Sequence, residues 1–257
     1  MAELVPLAVL ALCAAGCGGG LGSSESESTG RKKLEAGGAK LTQAKSFRVK
    51  VPIEAETEGE NVEVACLNLA IDNHTKPERV DMLIFGQSCL GGPEAHELIA
   101  VGHHAWASSG SGSWTAATIT PAALNELDDE QTDLKGLFAA AENIKSEPEE
   151  GAVEEGEGHF VDVPKYTFEA PASAFPGTDN DLGDVQIEFE AVLDRKGFLR
   201  ELVVHGEEEG TGATVTDKYE DVNGNLGIAP PDPSEVHGPK AEIRSKADLA
   251  ELFGVSP

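Results

Sequence analysis

The chain is short of basic residues. Nineteen Lys and Arg stand against 46 Asp and Glu in 257 residues, a formal net charge of −27. Holding nucleic acid requires clustered cations that neutralise phosphates, so this composition excludes that class. It equally excludes adsorption to anionic lipid headgroups through a generally basic surface. Aromatics are scarce at 5%, with two Trp and two Tyr, yet apolar residues reach 40%, enough to build a core. No apolar run is long enough to cross a bilayer as a helix, which takes ~20 residues. The Leu4–Leu12 run is free of charge but has only the length of a secretory h-region, and it ends in small residues. There are four cysteines, Cys13, Cys17, Cys66 and Cys89, and none stands in the C-x-x-C spacing of metal sites.

Catalytic and ligand signatures are missing too. No G-x-S-x-G elbow, P-loop or dinucleotide fingerprint occurs. His103-His104 would point to opposite faces of a strand, a poor arrangement for one metal ion. The stretch from Asp179 to Glu190 has calcium-loop character but carries Asp184 where the sharp turn needs glycine, and Asp221, Asn223 and Asn225 fail similarly at Leu226. These absences point away from an enzyme and from any cofactor.

What is present is alternation. Phe47, Val49, Val51 and Ile53 recur with period two, the mark of a half-buried strand. Pro52 cannot donate to a ladder and places that strand at an edge. Val62–Ile71 and Arg79–Gly86 follow as strands, then Glu97–Val101 and His104–Ala107 around a Gly102-His103 turn. Val185–Leu193 is the clearest strand, and Asp194-Arg195-Lys196-Gly197 reads as a hairpin turn into Phe198–His205. Thr211–Tyr219 is the last strand, because the Pro-rich stretch from Ile228 ends the sheet. Two helices interrupt this order. Arg31–Ala44 is weakened by Gly37-Gly38. Leu134, Leu137, Phe138 and Ala141 fall at i, i+3, i+4 and i+7, with Ile144 extending the stripe and Pro148 ending it. Ser245–Phe253 reads as a tail helix capped by Ser245. The order is not a strict βαβα alternation, so the expected class is α+β, a large antiparallel sheet with helices on one face.

The start of the chain carries its own signal. Ala14-Ala15-Gly16-Cys17 resembles the lipobox of bacterial lipoproteins, although the preceding Met1-Ala2-Glu3 lacks the usual positive charge. The resemblance implies cleavage after residue 16, a lipidated Cys17 and a Gly/Ser/Glu tether over 17–32. Export would place the two remaining cysteines in an oxidising compartment, so a Cys66–Cys89 disulfide is expected, contributing ~3 kcal/mol by loop entropy.

Further residues extend the resemblance. Val101-Gly102-His103-His104-Ala105-Trp106 precedes a Gly/Ser turn and Trp114. Then come the 134–144 helix, the Ala191–Arg200 hairpin, and Tyr219-Glu220-Asp221-Val222-Asn223 leading to Ile228-Ala229-Pro230-Pro231. In this order the chain resembles the LppX/LprG lipoproteins of mycobacteria, which have the LolA-like fold. The likeness covers about 33–236 and leaves 237–257 as a C-terminal tail. It implies a strongly curved antiparallel half-barrel whose helices cover the concave face, and an envelope protein that takes lipid or lipoglycan acyl chains between them. Cavity candidates by pattern are Val49, Val51, Leu67, Leu69, Leu83, Phe85, Ile187 and Phe189 on the sheet, with Leu134, Leu137, Phe138 and Ala141 on the helix. A filled core and an open cavity share that pattern. A closed version of the fold, acting as an acidic anchored adaptor for a protein partner, is the alternative reading.

Overall fold

The computed structural model describes residues 26–57, 60–72, 79–85, 96–108, 113–123, 134–154, 160–174, 185–208, 211–245, 247–248 and 251. Among these, strands dominate. β1 (Ser46–Thr57), β2 (Glu60–Asp72), β3 (Arg79–Phe85), β4 (His96–Val101), β5 (His104–Ser108) and β6 (Trp114–Ile119) form the first half of the chain. β7 (Glu142–Glu154), β8 (Phe160–Pro171), β9 (Gln186–Leu193), β10 (Leu199–Glu208), β11 (Thr211–Glu220) and β12 (Val236–Ile243) form the second. All twelve make one open sheet, in the order β12-β6-β5-β4-β3-β2-β1-β11-β10-β9-β8-β7. Every pairing is antiparallel except β12 with β6, so the sheet is mixed.

Three expectations change here. The sheet does not end at Ile228: the chain crosses to the far edge and adds β12 beside β6, so Val236–Ile243 belongs to the fold and not to a free tail. β1 is central, between β2 and β11. It tolerates Pro52 because its pairing with β11 is interrupted between Lys50 and Ile53. The third change concerns the 134–144 helix, which closes after one and a half turns.

That second helix, α2 (Lys135–Ala140), is followed by Ala141 in extended conformation and Asn143 at φ 54°. Asparagine tolerates this left-handed backbone, and it turns the chain directly into β7. Ile144 and Pro148 are therefore strand residues: Pro148 pairs with Pro164 of β8, and Ile144 lies in the break of pairing between Glu142 and Lys145. The helical stripe itself holds: Leu134, Leu137, Phe138 and Ala141 are all buried. Asp128, Asp129, Glu130 and Asp133, which precede it in the sequence, lie outside the described residues.

The first helix, α1 (Glu27–Thr42), begins within the expected tether. Glu27 and Arg31 pair across one turn at 3.1 Å. Leu34 and Leu41 are buried on the face toward β7, β9, β10 and α2. Gly37 and Gly38 earn their place by closeness. A Cβ on Gly37 would lie 2.7 Å from the Leu193 side chain, and one on Gly38 would lie 2.9 Å from the Phe138 ring. The low helix propensity of this pair is the counterpart of a tight helix–sheet and helix–helix approach.

Candidate functional site

The register sorts residues onto two faces. Phe47, Val49 and Val51 of β1 pair with Ile71, Leu69 and Leu67 of β2, and these continue to Val80, Met82 and Ile84 of β3. This is the core face. Leu83 pairs instead with Asn68, and Phe85 with Cys66, which lie across from Lys50 and Pro52. In register, Leu83 and Phe85 are therefore out of step with the other sheet candidates. The second half of β3, Met82–Phe85, is an unbroken apolar run, so its pattern alone does not set the register.

The core face is covered unevenly. Over β8 and β9 it is closed: Phe138 of α2 meets Phe168 edge-on with ring centroids 5.9 Å apart, and Phe168 stacks on Phe189 at 5.3 Å. Leu134, Leu137, Phe138, Ala141, Ile187 and Phe189 sit in one packed cluster with Leu34 and Leu41. Val49 and Leu69 are fully buried as well.

Following the row of Phe168 and Phe189 across the sheet gives a different picture. Phe189 pairs with Val204, Val204 with Val215, Val215 with Ile53, and Ile53 with Ala65. These four, with Leu67, are only partly buried. They form an apolar strip across β10, β11, β1 and β2, of which Leu67, Val204 and Val215 pack against the core cluster.

Asp217 borders this strip on the core face. It pairs with Leu202, stands two residues before Tyr219, and accepts a hydrogen bond from the Tyr219 hydroxyl at 3.3 Å. The residue keeps partial solvent contact, yet protein crowds its carboxyl. That desolvation pushes its pKa up to about 7, against the lowering effect of the Tyr219 bond. Burial likewise holds the Tyr219 hydroxyl well above its ordinary value, with the Asp217 charge adding to it. Neighbouring positions on β1 and β10 are apolar: Val49, Val51, Leu202 and Val204. Arg200 is occupied by Asp194, at 2.8 and 2.9 Å. Sequence reasoning passed over Asp217, although it is visible as the charged interruption of the file Ala213, Val215, Asp217, Tyr219.

The outer face has its own packing. The segment after β11 crosses it and buries Ile228 against Ala70 and Ile99, with Trp106, Trp114 and Leu226 alongside. The Arg79 guanidinium donates to the Ile228 carbonyl at 2.6 Å. Asp221 and Asn223, weighed above as a calcium loop, make the turn that starts this crossing. Both have positive φ, and the Asn223 N–H donates to the Ser46 carbonyl at 2.7 Å. Nearby, burial raises the pKa of Asp81, and burial with the Asp81 charge raises that of Glu97 to about 7. His103 and His104 are exposed at the β4–β5 turn. Cys66 is buried in β2, while Cys17 and Cys89 lie outside the described residues.

Among the described residues the architecture is one wide open mixed sheet with few helices. Two solved structures share it. The lipoprotein LppX of Mycobacterium tuberculosis superposes with a TM-score of 0.51 at 12% identity, over 79% of this chain and 100% of its own. LprF of Mycobacterium bovis gives 0.52 at 11% identity, over 82% and 99%. At these identities the likeness is one of fold, and at that level the resemblance drawn from the sequence holds. No protein-family model matches the chain, and no curated protein matches it.

Proposed function

We propose that the chain is an exported lipoprotein, anchored through Cys17 at the outer face of the cytoplasmic membrane, that holds the acyl chains of a lipid or lipoglycan. The observation that carries this is the partly uncovered apolar strip of Ile53, Ala65, Leu67, Val204 and Val215, in a fold shared with LppX. Each methylene transferred from water to such a surface contributes ~0.8 kcal/mol, so a long chain binds without specific chemistry. The sheet is read as a half-barrel whose concave side is the core face. Helices close the part of it over β8 and β9, and the ligand takes the rest. Binding, not catalysis, is the assigned activity. A Cys66–Cys89 disulfide is part of this reading: Cys66 pairs with Phe85, and Cys89 follows Phe85 by a few residues.

The test is native mass spectrometry of the full chain purified from a lipid-containing host, followed by organic extraction. Excess mass that extracts as a defined lipid is expected. Val204→Asp with Val215→Asp should remove that mass, and at these partly buried positions the fold should survive. A bare mass, unchanged after exposure to membrane lipids, would overturn the reading and favour the closed adaptor.

A further inference from the structure

The sign of the charge reverses locally at one end of the sheet. There α1 crosses the turn between β9 and β10. Lys33 and Lys40 lie seven residues apart on one helix face, and they line a cavity of about 360 Å³ together with Arg195 and Lys196 of the turn. That volume falls within the ~300–1,000 Å³ of small-ligand sites. Leu193 and Tyr166 form its apolar wall. In a chain with 46 acidic and 19 basic residues, four cations converge here.

The carboxylate among the lining residues does not offset them. Asp194 is buried and already engaged on both oxygens. Its Oδ1 accepts the backbone N–H of Lys196 and of Phe198, each at 2.9 Å, and its Oδ2 accepts the Arg200 guanidinium at 2.8 and 2.9 Å. The cation of Lys40 is held in position: its Nζ donates to the Lys196 carbonyl and stands 5.5 Å from the centroid of the Phe198 ring. An ammonium has three donors, so this contact leaves donors for a ligand. Arg195 and Lys196 are exposed at the rim.

We infer that this notch binds the anionic, phosphate-class headgroup of a lipid, with cations on the headgroup and the Leu193/Tyr166 wall against the first methylenes. The acyl part of this inference rests on the lipid-binding reading above, while the anion part stands on the notch alone. With Asp194 engaged by its own turn and by Arg200, the cations of Lys40, Arg195 and Lys196 select for negative charge, and charge-assisted hydrogen bonds from Lys and Arg suit phosphate oxygens.

The experiment titrates the full chain, by calorimetry at low and high salt, with dihexanoyl phosphatidic acid, dihexanoylglycerol and inorganic phosphate. Phosphatidic acid should bind about tenfold tighter than the neutral dihexanoylglycerol, and the preference should shrink with salt as screening grows. Arg195→Gln with Lys196→Gln should cost phosphatidic acid about tenfold and leave dihexanoylglycerol unchanged, whereas Arg195→Lys alone should retain binding. Equal binding of the charged and neutral lipids, or a double variant indistinguishable from wild type, would overturn the inference. Inorganic phosphate binding as tightly as phosphatidic acid would overturn the headgroup assignment and make the ligand a free anion. If the neutral lipid fails to bind wild type while phosphatidic acid retains its preference, the strip reading falls and the anion site stands.

Discussion

Replacing Asp217 by Asn should stabilise the protein, by an amount that grows with pH. The carboxyl sits on the core face with apolar neighbours on β1 and β10, and its pKa is raised from 3.8 to about 7. Below pH 4 it is protonated in both native and unfolded chains, and it distinguishes neither. Between pH 4 and 7 the unfolded chain ionises while the native one resists, so the native state loses stability as pH rises. Above pH 7 both are ionised and the loss is complete. At ~1.4 kcal/mol per pH unit, about three units give a ceiling of about 4 kcal/mol. The solvent contact that Asp217 keeps lowers this to about 2 kcal/mol. Urea unfolding of wild type and Asp217→Asn from pH 4 to 8 reads the difference directly, because the remaining carboxylates are common to both. The two should coincide near pH 4 and separate steadily up to pH 7, with the variant the more stable. A constant offset across the range, or a variant less stable at pH 8, would refute the reasoning. The same carboxyl borders the proposed acyl strip. A chain lying there displaces the water that Asp217 still touches, so wild type should bind a fluorescent fatty-acyl probe of fixed charge more tightly at pH 6 than at pH 8. Asp217→Asn should flatten that dependence.

Two further substitutions test the helices. Phe138→Ala removes the ring that packs on Phe168 and on the Gly38 backbone, and should cost about 3–5 kcal/mol in urea unfolding, as large core truncations do. Gly38→Ala reverses the usual rule for a helix interior: intrinsic propensity favours alanine by ~1 kcal/mol, yet the added Cβ meets a ring that cannot retreat, so a net loss of about 1–3 kcal/mol is expected. A stabilised Gly38→Ala variant would show that α1 lies further from α2 than described.

The alternating strands were the legible part of the fold. In β9 the file Ile187, Phe189, Ala191, Leu193 is buried and Gln186 and Glu188 are exposed, as a period of two requires. The Asp194–Gly197 turn was equally legible, with Gly197 at φ 74° and Asp194 bonded to the turn's own N–H groups. Other features depend on partners distant in sequence. Met82, Leu83, Ile84 and Phe85 of β3 are an unbroken apolar run, so only the pairing with β2 sets their register. β12 has few apolar residues and exists because β6 offers an edge. Pro52 suggested an edge strand, and the local gap in pairing that accommodates it has no sequence mark. In the notch, Lys33 and Lys40 share a helix face by spacing, but Arg195 and Lys196 join them only because α1 crosses that turn. The overall charge of −27 conceals such a reversal, since a sum over the chain holds no positions.

The parallel pairing of β12 with β6 has a consequence for how the molecule is made. Trp114 and Val236 are register partners, so the free edge of β6 must wait for nearly the whole remaining chain before it is capped. Until then its N–H and C=O groups form a template for any other extended segment. Contacts of such sequence separation form slowly, because the loop they close is long. Translation stalled before Val236, or a chain clipped there, would yield a species that is nearly folded and sticky along one border. Quality control of this protein would then hinge on a strand that contributes little to its core.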